Sequence, residues 1–162
     1  MSLTATAIAQ KVLEALRDSA DILDECQDRF GKAHSVFSGF TGEEAPGSEY
    51  QPYFQIYPAI RTEGEEEDKF SFTLSLELGL QDSTLTEATS ADGVYTAIYR
   101  GPESLEVLLN LARDAIRGIS AELEIDQEQS LYDPLEFYPL FVGILTLTIT
   151  FPKLIGGYEP TL

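Results

Sequence analysis

Between Phe70 and Leu80 the chain alternates without a break. Phe70, Phe72, Leu74, Leu76, Leu78 and Leu80 hold one parity, and Ser71, Thr73, Ser75, Glu77 and Gly79 hold the other. A period of two over this span predicts a β-strand with one buried and one wet face. Leu140 to Phe151 repeats the pattern: Leu145, Leu147, Ile149 and Phe151 alternate with Thr146, Thr148 and Thr150, and Pro152 stops it. Tyr53 to Thr62 reads as a strand at an edge or on an irregular path, because Pro52 and Pro58 lack an N–H. With Phe70 to Leu80 it makes a hairpin around the acidic run EGEEED. Val94 to Tyr99 predicts a further short strand.

Helical spacing governs the rest. Ile8, Val12, Leu16, Leu23 and Phe30 predict a helix from Thr4 to about Phe30, capped by Thr4 or Thr6 and stopped by Gly31. Asp18 to Asp21 is where it would break, since Ser and Asp compete there for backbone hydrogen bonds. A second helix opens at Gly101-Pro102, with Glu103 and Glu106 near its positive end. Leu105, Leu108, Leu109, Ala112, Ile116 and Ile119 form its apolar stripe, which ends near Ala121. Lys32 to Tyr50 is expected to be a connector kept irregular by Gly39, Gly42, Pro46 and Gly47, with Phe37 and Phe40 tucked onto the body. Gln81 to Ser90 reads as a polar, mobile loop. Glu122 to Pro139 reads as an acidic, aromatic segment interrupted by prolines.

These elements define an α+β fold, a mostly antiparallel sheet with two amphipathic helices packed on one face. A single domain is expected over residues 4–155. Residues 1–3 read as an expression remnant and 156–162 as a flexible tail.

Composition narrows the function. The 162 residues are 43% hydrophobic, enough for one sizeable core. One Cys and one His exclude an internal disulfide, a multi-cysteine zinc site and a histidine-rich metal site. The net charge of −18, from 28 acids against 10 bases, repels nucleic acid and anionic membrane over most of the surface. The bases, among them Lys11, Arg17, Arg61, Arg113 and Lys153, are scattered singly and form no nucleic-acid footprint. No run of 18 apolar residues predicts a membrane span, and no basic-then-apolar leader predicts secretion.

Candidate chemistry is sparse. Glu63, Glu65, Glu66, Glu67 and Asp68 could offer oxygen ligands to a cation, but they lack the spacing and turn glycine of a calcium loop. The plainer reading is a solvated hairpin tip, with a basic partner's docking surface between the two. Asp82 to Gly93 superficially matches a calcium loop but lacks alternate acids and a closing glutamate. His34 lies in a Gly-flanked connector, with no Gly-x-Ser-x-Gly elbow to supply a nucleophile. Cys26 sits near Leu23 and Phe30 and reads as a small core residue. No Gly-rich phosphate loop is present, and carboxylates are too numerous for a glycosidase pair to stand out. Tyr132, Phe137, Tyr138 and Phe141 are either core plugs or a subunit interface, since aromatics gather in both. The expectation is a protein that is not an enzyme and needs no metal or cofactor.

The N-terminal helix, PYFQIYPAIRTEGEEEDKFSFTLSLELGL, SLEVLLNLARDAI and GILTLTITF resemble, in that order, the tail terminator (minor tail protein U type) family of long-tailed bacteriophages. The neighbouring head–tail joining and tail-completion proteins share the pattern. Lys32 to Glu49 and Glu122 to Pro139 are longer than that pattern has them. The resemblance implies a structural virion protein of a phage or prophage tail, assembled in the bacterial host cytoplasm. It implies a ring of copies, hexameric in the usual case, that ends the tail tube and joins it to the head. The partners would be itself, the tail-tube protein and head–tail connector proteins, with no specific nucleic acid and no membrane. The net charge fits DNA sliding past without sticking, and it equally fits an acidic DNA-mimic inhibitor of a basic protein, the alternative class.

Overall fold

The computed structural model describes residues 4–39, 46–57, 60–63, 69–119, 124–132 and 140–152. The Thr4 hydroxyl accepts the Ala7 N–H at 3.1 Å and caps the first helix, α1 (Ala5–Arg17). The N-terminal helical span is two helices, broken within Asp18 to Asp21 where the sequence offers a break. The Asp18 N–H closes α1 on the Glu14 carbonyl at 2.9 Å. Ser19 is extended and caps α2 (Ala20–Phe30) by accepting the Ile22 N–H at 3.3 Å. The break resets the helical phase, so Ile22 and Cys26 face inward while Leu23 is 40% exposed. Gly31, at φ 69°, ends α2 in the left-handed conformation that glycine adopts at low cost. The third helix, α3 (Gly101–Arg117), carries Pro102 in its first turn as expected.

The strands are β1 (Ser35–Ser38), β2 (Tyr53–Ile56), β3 (Ile60–Glu63), β4 (Lys69–Gln81), β5 (Leu85–Ala91), β6 (Val94–Tyr99), β7 (Glu124–Tyr132) and β8 (Leu140–Pro152). Six of them form one sheet in the order β1-β2-β4-β8-β7, with β3 also on β4. The β1–β2 pair is parallel and the others are antiparallel. The fold is α+β, as the periodicities predict.

The register explains the core. β4 and β8 pair along their whole length, placing Phe72 opposite Ile149, Leu74 opposite Leu147, Leu76 opposite Leu145 and Leu80 opposite Phe141. All eight are buried, with Phe54 and Ile56 of β2 on the same face. Ile8, Val12 and Leu16 of α1, Ile22 and Cys26 of α2, and Leu105, Leu108, Ala112 and Ile116 of α3 cover it in one cluster. Burial of each such large side chain stabilises by about 1.5–3 kcal/mol. Gly143 of β8 lies under α3; a Cβ there would stand 2.9 Å from Leu109 Cδ1, so only glycine lets helix and sheet approach this closely.

Four expectations are corrected. Tyr53 to Thr62 is two strands: Ile56 pairs with Leu76 and Ile60 with Thr73, four residues on one side against three on the other. The pairing therefore slips by one residue between Ile56 and Ile60. The Lys32 to Tyr50 connector contains β1, tied by the Ser35 N–H to the Pro52 carbonyl at 2.9 Å. Phe37 tucks in as expected, edge-on to Tyr50 and Tyr53 with ring centroids 5.7 and 6.5 Å apart; Phe40 lies outside the described residues. Within Glu122 to Pro139, Glu124–Tyr132 is an edge strand on β8. The polar stretch Gln81 to Ser90 is not a loop: Leu85–Ala91 is a strand, and it pairs with Val94–Tyr99 away from the main sheet.

Candidate functional site

The β5–β6 hairpin stands apart. Its two strands pair with each other and, among the described residues, with no third strand. The turn is Asp92-Gly93, with φ of 54° and 79°, and Ala91 pairs with Val94 directly across it. Two positive φ values in a two-residue loop match the right-handed twist of the flanking strands. Every residue of β5 is exposed, and so is every residue of β6 except the half-buried Ala97. Val94, Tyr95 and Ile98 are 61, 66 and 54% exposed. A two-stranded ribbon in water is marginal by itself. This one gains cross-strand pairs, such as Thr89 with Thr96 at 2.5 Å between hydroxyls, but no core.

The faces of the arm differ. Glu87 pairs with Ile98, Thr89 with Thr96 and Ala91 with Val94 on one face; Leu85 with Tyr99, Ala88 with Ala97 and Ser90 with Tyr95 occupy the other. The second face holds no ionisable carboxylate or base. Across Leu85 to Tyr99 the only such groups are Glu87 and Asp92, in a chain of net charge −18. The β6 edge has none, and it lacks the Lys or Pro that commonly guards an open strand edge.

A polar cluster fixes the base of this arm. The Arg100 N–H donates to the Thr84 carbonyl at 2.9 Å, joining the two strand ends. Asp82, 4% exposed, accepts from Arg100 Nε at 2.7 Å, Ser104 Oγ at 3.2 Å and the Thr84 N–H at 3.1 Å. Arg100 Nη2 also donates to the Arg29 carbonyl at 3.0 Å, and its guanidinium lies 5.7 Å from the centre of the Phe30 ring. Arg29 reaches Ser104 Oγ at 3.2 Å and pairs with Glu25 and Glu103. Burial opposes the ionised Asp82 carboxyl, but the Arg100 and Thr84 hydrogen bonds outweigh it and hold the group below the usual carboxylate range. The arm is thus welded to the end of α2 and the start of α3.

The expected site residues fare differently. Glu63 ends β3, opposite Phe70; Glu65, Glu66, Glu67 and Asp68 lie outside the described residues. Tyr132 pairs with Gly143 at the end of β7. Phe137 and Tyr138 lie outside the described residues. Of the two readings given for Phe141, the core plug holds: it is 5% exposed, and its ring occupies the space a Cβ on Gly101 would need. Sequence reasoning predicted the second strand of the arm, Val94–Tyr99, but missed the first and the hairpin, although Asp92-Gly93 before a β-prone run is the standard hairpin signal.

Other polar groups serve the fold. Glu77 accepts from the hydroxyls of Tyr53 at 2.8 Å and Tyr57 at 2.7 Å on the sheet face away from the helices. Burial, then the Glu77 carboxylate, raises both phenols, Tyr57 to about 12. Burial pushes the Cys26 thiol up to about 12. His34 Nε2 meets the Leu16 carbonyl at 2.9 Å, its Nδ1 has no partner among the described residues, and burial lowers its pKa. Among the described residues no three His, Cys, Asp or Glu side chains gather to hold a metal ion, and no helix is long and apolar enough to cross a membrane. No known family model matches the chain, and no curated protein is significantly similar to it in sequence.

Proposed function

We propose that this α+β protein is a structural subunit of a phage or prophage tail, whose copies form a ring that terminates the tail tube and joins it to the head. The observation that carries the reading is the arm: a β-hairpin with apolar side chains on both faces, only two charged side chains and no third strand beside it among the described residues, tied to the body by the Asp82–Arg100 pair. Such a surface has no use in an isolated acidic monomer and suits contact with another protein. The element order from which the tail-terminator resemblance comes supports the kind of assembly. The role is structural rather than catalytic, in the virion tail after assembly in the host cytoplasm. The excess of acids suits a lumen through which DNA passes without adhering. The acidic tip, Glu63 with Glu65 to Asp68, is offered to the tail tube or connector.

The test is negative-stain electron microscopy of the protein alone and mixed with polymerised tail-tube protein. Rings with a central opening, seated at tube ends, are expected. Absence of rings and of tube-end binding would overturn the reading. A monomer that instead captures a basic nucleic-acid protein, and releases it with salt, would favour the acidic DNA-mimic inhibitor.

A further inference from the structure

We infer that the arm of one copy docks into the helical groove at the opposite end of a second copy, a contact that rests on the ring reading above. The arm leaves the body at Asp82 and Arg100, beside the end of α2 and the start of α3. An open cavity of about 480 Å³ lies at the other ends of the same helices, where α1 also contributes. Ala15, Ala20, Ala115 and Ile119 supply its apolar lining, and its charged residues are Glu14, Asp18 and Asp21 with the single base Lys11. α3 has 17 residues, so about 25 Å of helix separates the two features. A protruding element at one end and a recess at the other form a heterologous, head-to-tail pair, and repetition of that pair closes a ring when the rotation permits.

Charge selects the arm as the occupant. Each copy carries −18, and acids outnumber the one base, Lys11, in the recess, so most surfaces of a second copy are repelled from it. The face bearing Leu85, Ala88, Tyr95, Ala97 and Tyr99 carries no carboxylate, and with just two acids, Glu87 on the other face and Asp92 in the turn, the arm is less repelled than the rest of the surface. Tyr95, 66% exposed, is the natural anchor: a large amphipathic ring near the tip, where α-helical alanines leave space.

The test uses the full chain. Tyr95→Cys and Ala20→Cys are combined, both at exposed positions, and treated with a short bis-maleimide; the native Cys26 is buried and does not compete. The double variant should give a ladder of cross-linked species up to the size of the ring, and each single variant no more than dimers. Tyr95→Asp and Ala20→Glu should each raise the concentration of half-assembly by about tenfold or more. Neither should alter the melting curve of the monomer, since Tyr95 has no core contact and an acid is favourable at the start of α2. Wild-type rings that persist in both charge variants, with no ladder beyond dimers, would overturn the arm-in-groove contact and leave the ring standing. A wild-type protein that never leaves the monomer, alone or on the tube, would overturn both.

Discussion

The main sheet and the arm are both antiparallel β-structure, yet opposite forces hold them. In the β4–β8 pair one face is buried from Phe72 to Leu80, and the hydrophobic effect fixes the register, because a slip of one residue would turn every leucine outward. In the β5–β6 pair neither face is buried, and register is set by the Asp92-Gly93 turn and the Asp82–Arg100 clamp. The sheet explains why the chain folds. The arm contributes nothing to that core, which is why it is the part to examine for function.

Breaking the sheet should have the largest effect. Phe72→Ala removes a fully buried ring from the middle of the core and should cost about 3–5 kcal/mol in urea unfolding. A loss under about 1 kcal/mol would mean the core is not where the register places it. Next comes the clamp. Asp82→Ala leaves Arg100 without its carboxylate and should cost about 2 kcal/mol, with amide exchange rising in Leu85 to Tyr99 ahead of β4. Uniform exchange across both regions would show that the arm is not held independently. Because the folded-state pKa of Asp82 is depressed, its contribution is present above the unfolded carboxylate value and is lost as pH falls through the folded one, so acid should loosen the arm base.

A smaller effect separates the regions by pH. His34 packs edge-on against Phe54 of β2, and burial lowers its pKa. The unfolded chain therefore takes up the proton first, and stability should decline as pH drops below about 6.5, the unfolded value. His34→Gln should flatten that slope; an unchanged slope would assign it to other groups. The smallest effect belongs to the arm surface. Tyr95→Ser with Ile98→Ser should leave monomer stability within about 0.5 kcal/mol, since both side chains are more than half exposed.

The same contrast explains what the sequence discloses. β4, β8 and α3 are legible because each buries a face, and burial writes a period of 2 or 3.6 into the residues. β5 reads LTEATSA with no apolar parity, because it has no inside for a parity to mark. β7 is an edge strand rich in Glu and Gln, and β1 has four residues paired with a distant partner, so neither carries a local signature. The two-helix N-terminus hangs on the Ser19 cap, and the Ser and Asp residues of Asp18 to Asp21 mark that break in the sequence, though the apolar stripe runs through it. Of the candidate site, the strand Val94–Tyr99 and the turn Asp92-Gly93 were there to be read, as structure rather than as chemistry.

The most direct measurement is molar mass by multi-angle light scattering, over a range of concentration and salt, for the wild type and Tyr95→Asp. Self-repulsion at −18 per copy opposes assembly at low salt and is screened as salt rises. A discrete multimer that grows with both concentration and salt, and recedes in Tyr95→Asp, is the predicted result. A wild-type mass that stays at one chain throughout, or a multimer indifferent to Tyr95→Asp, would contradict assembly through the arm.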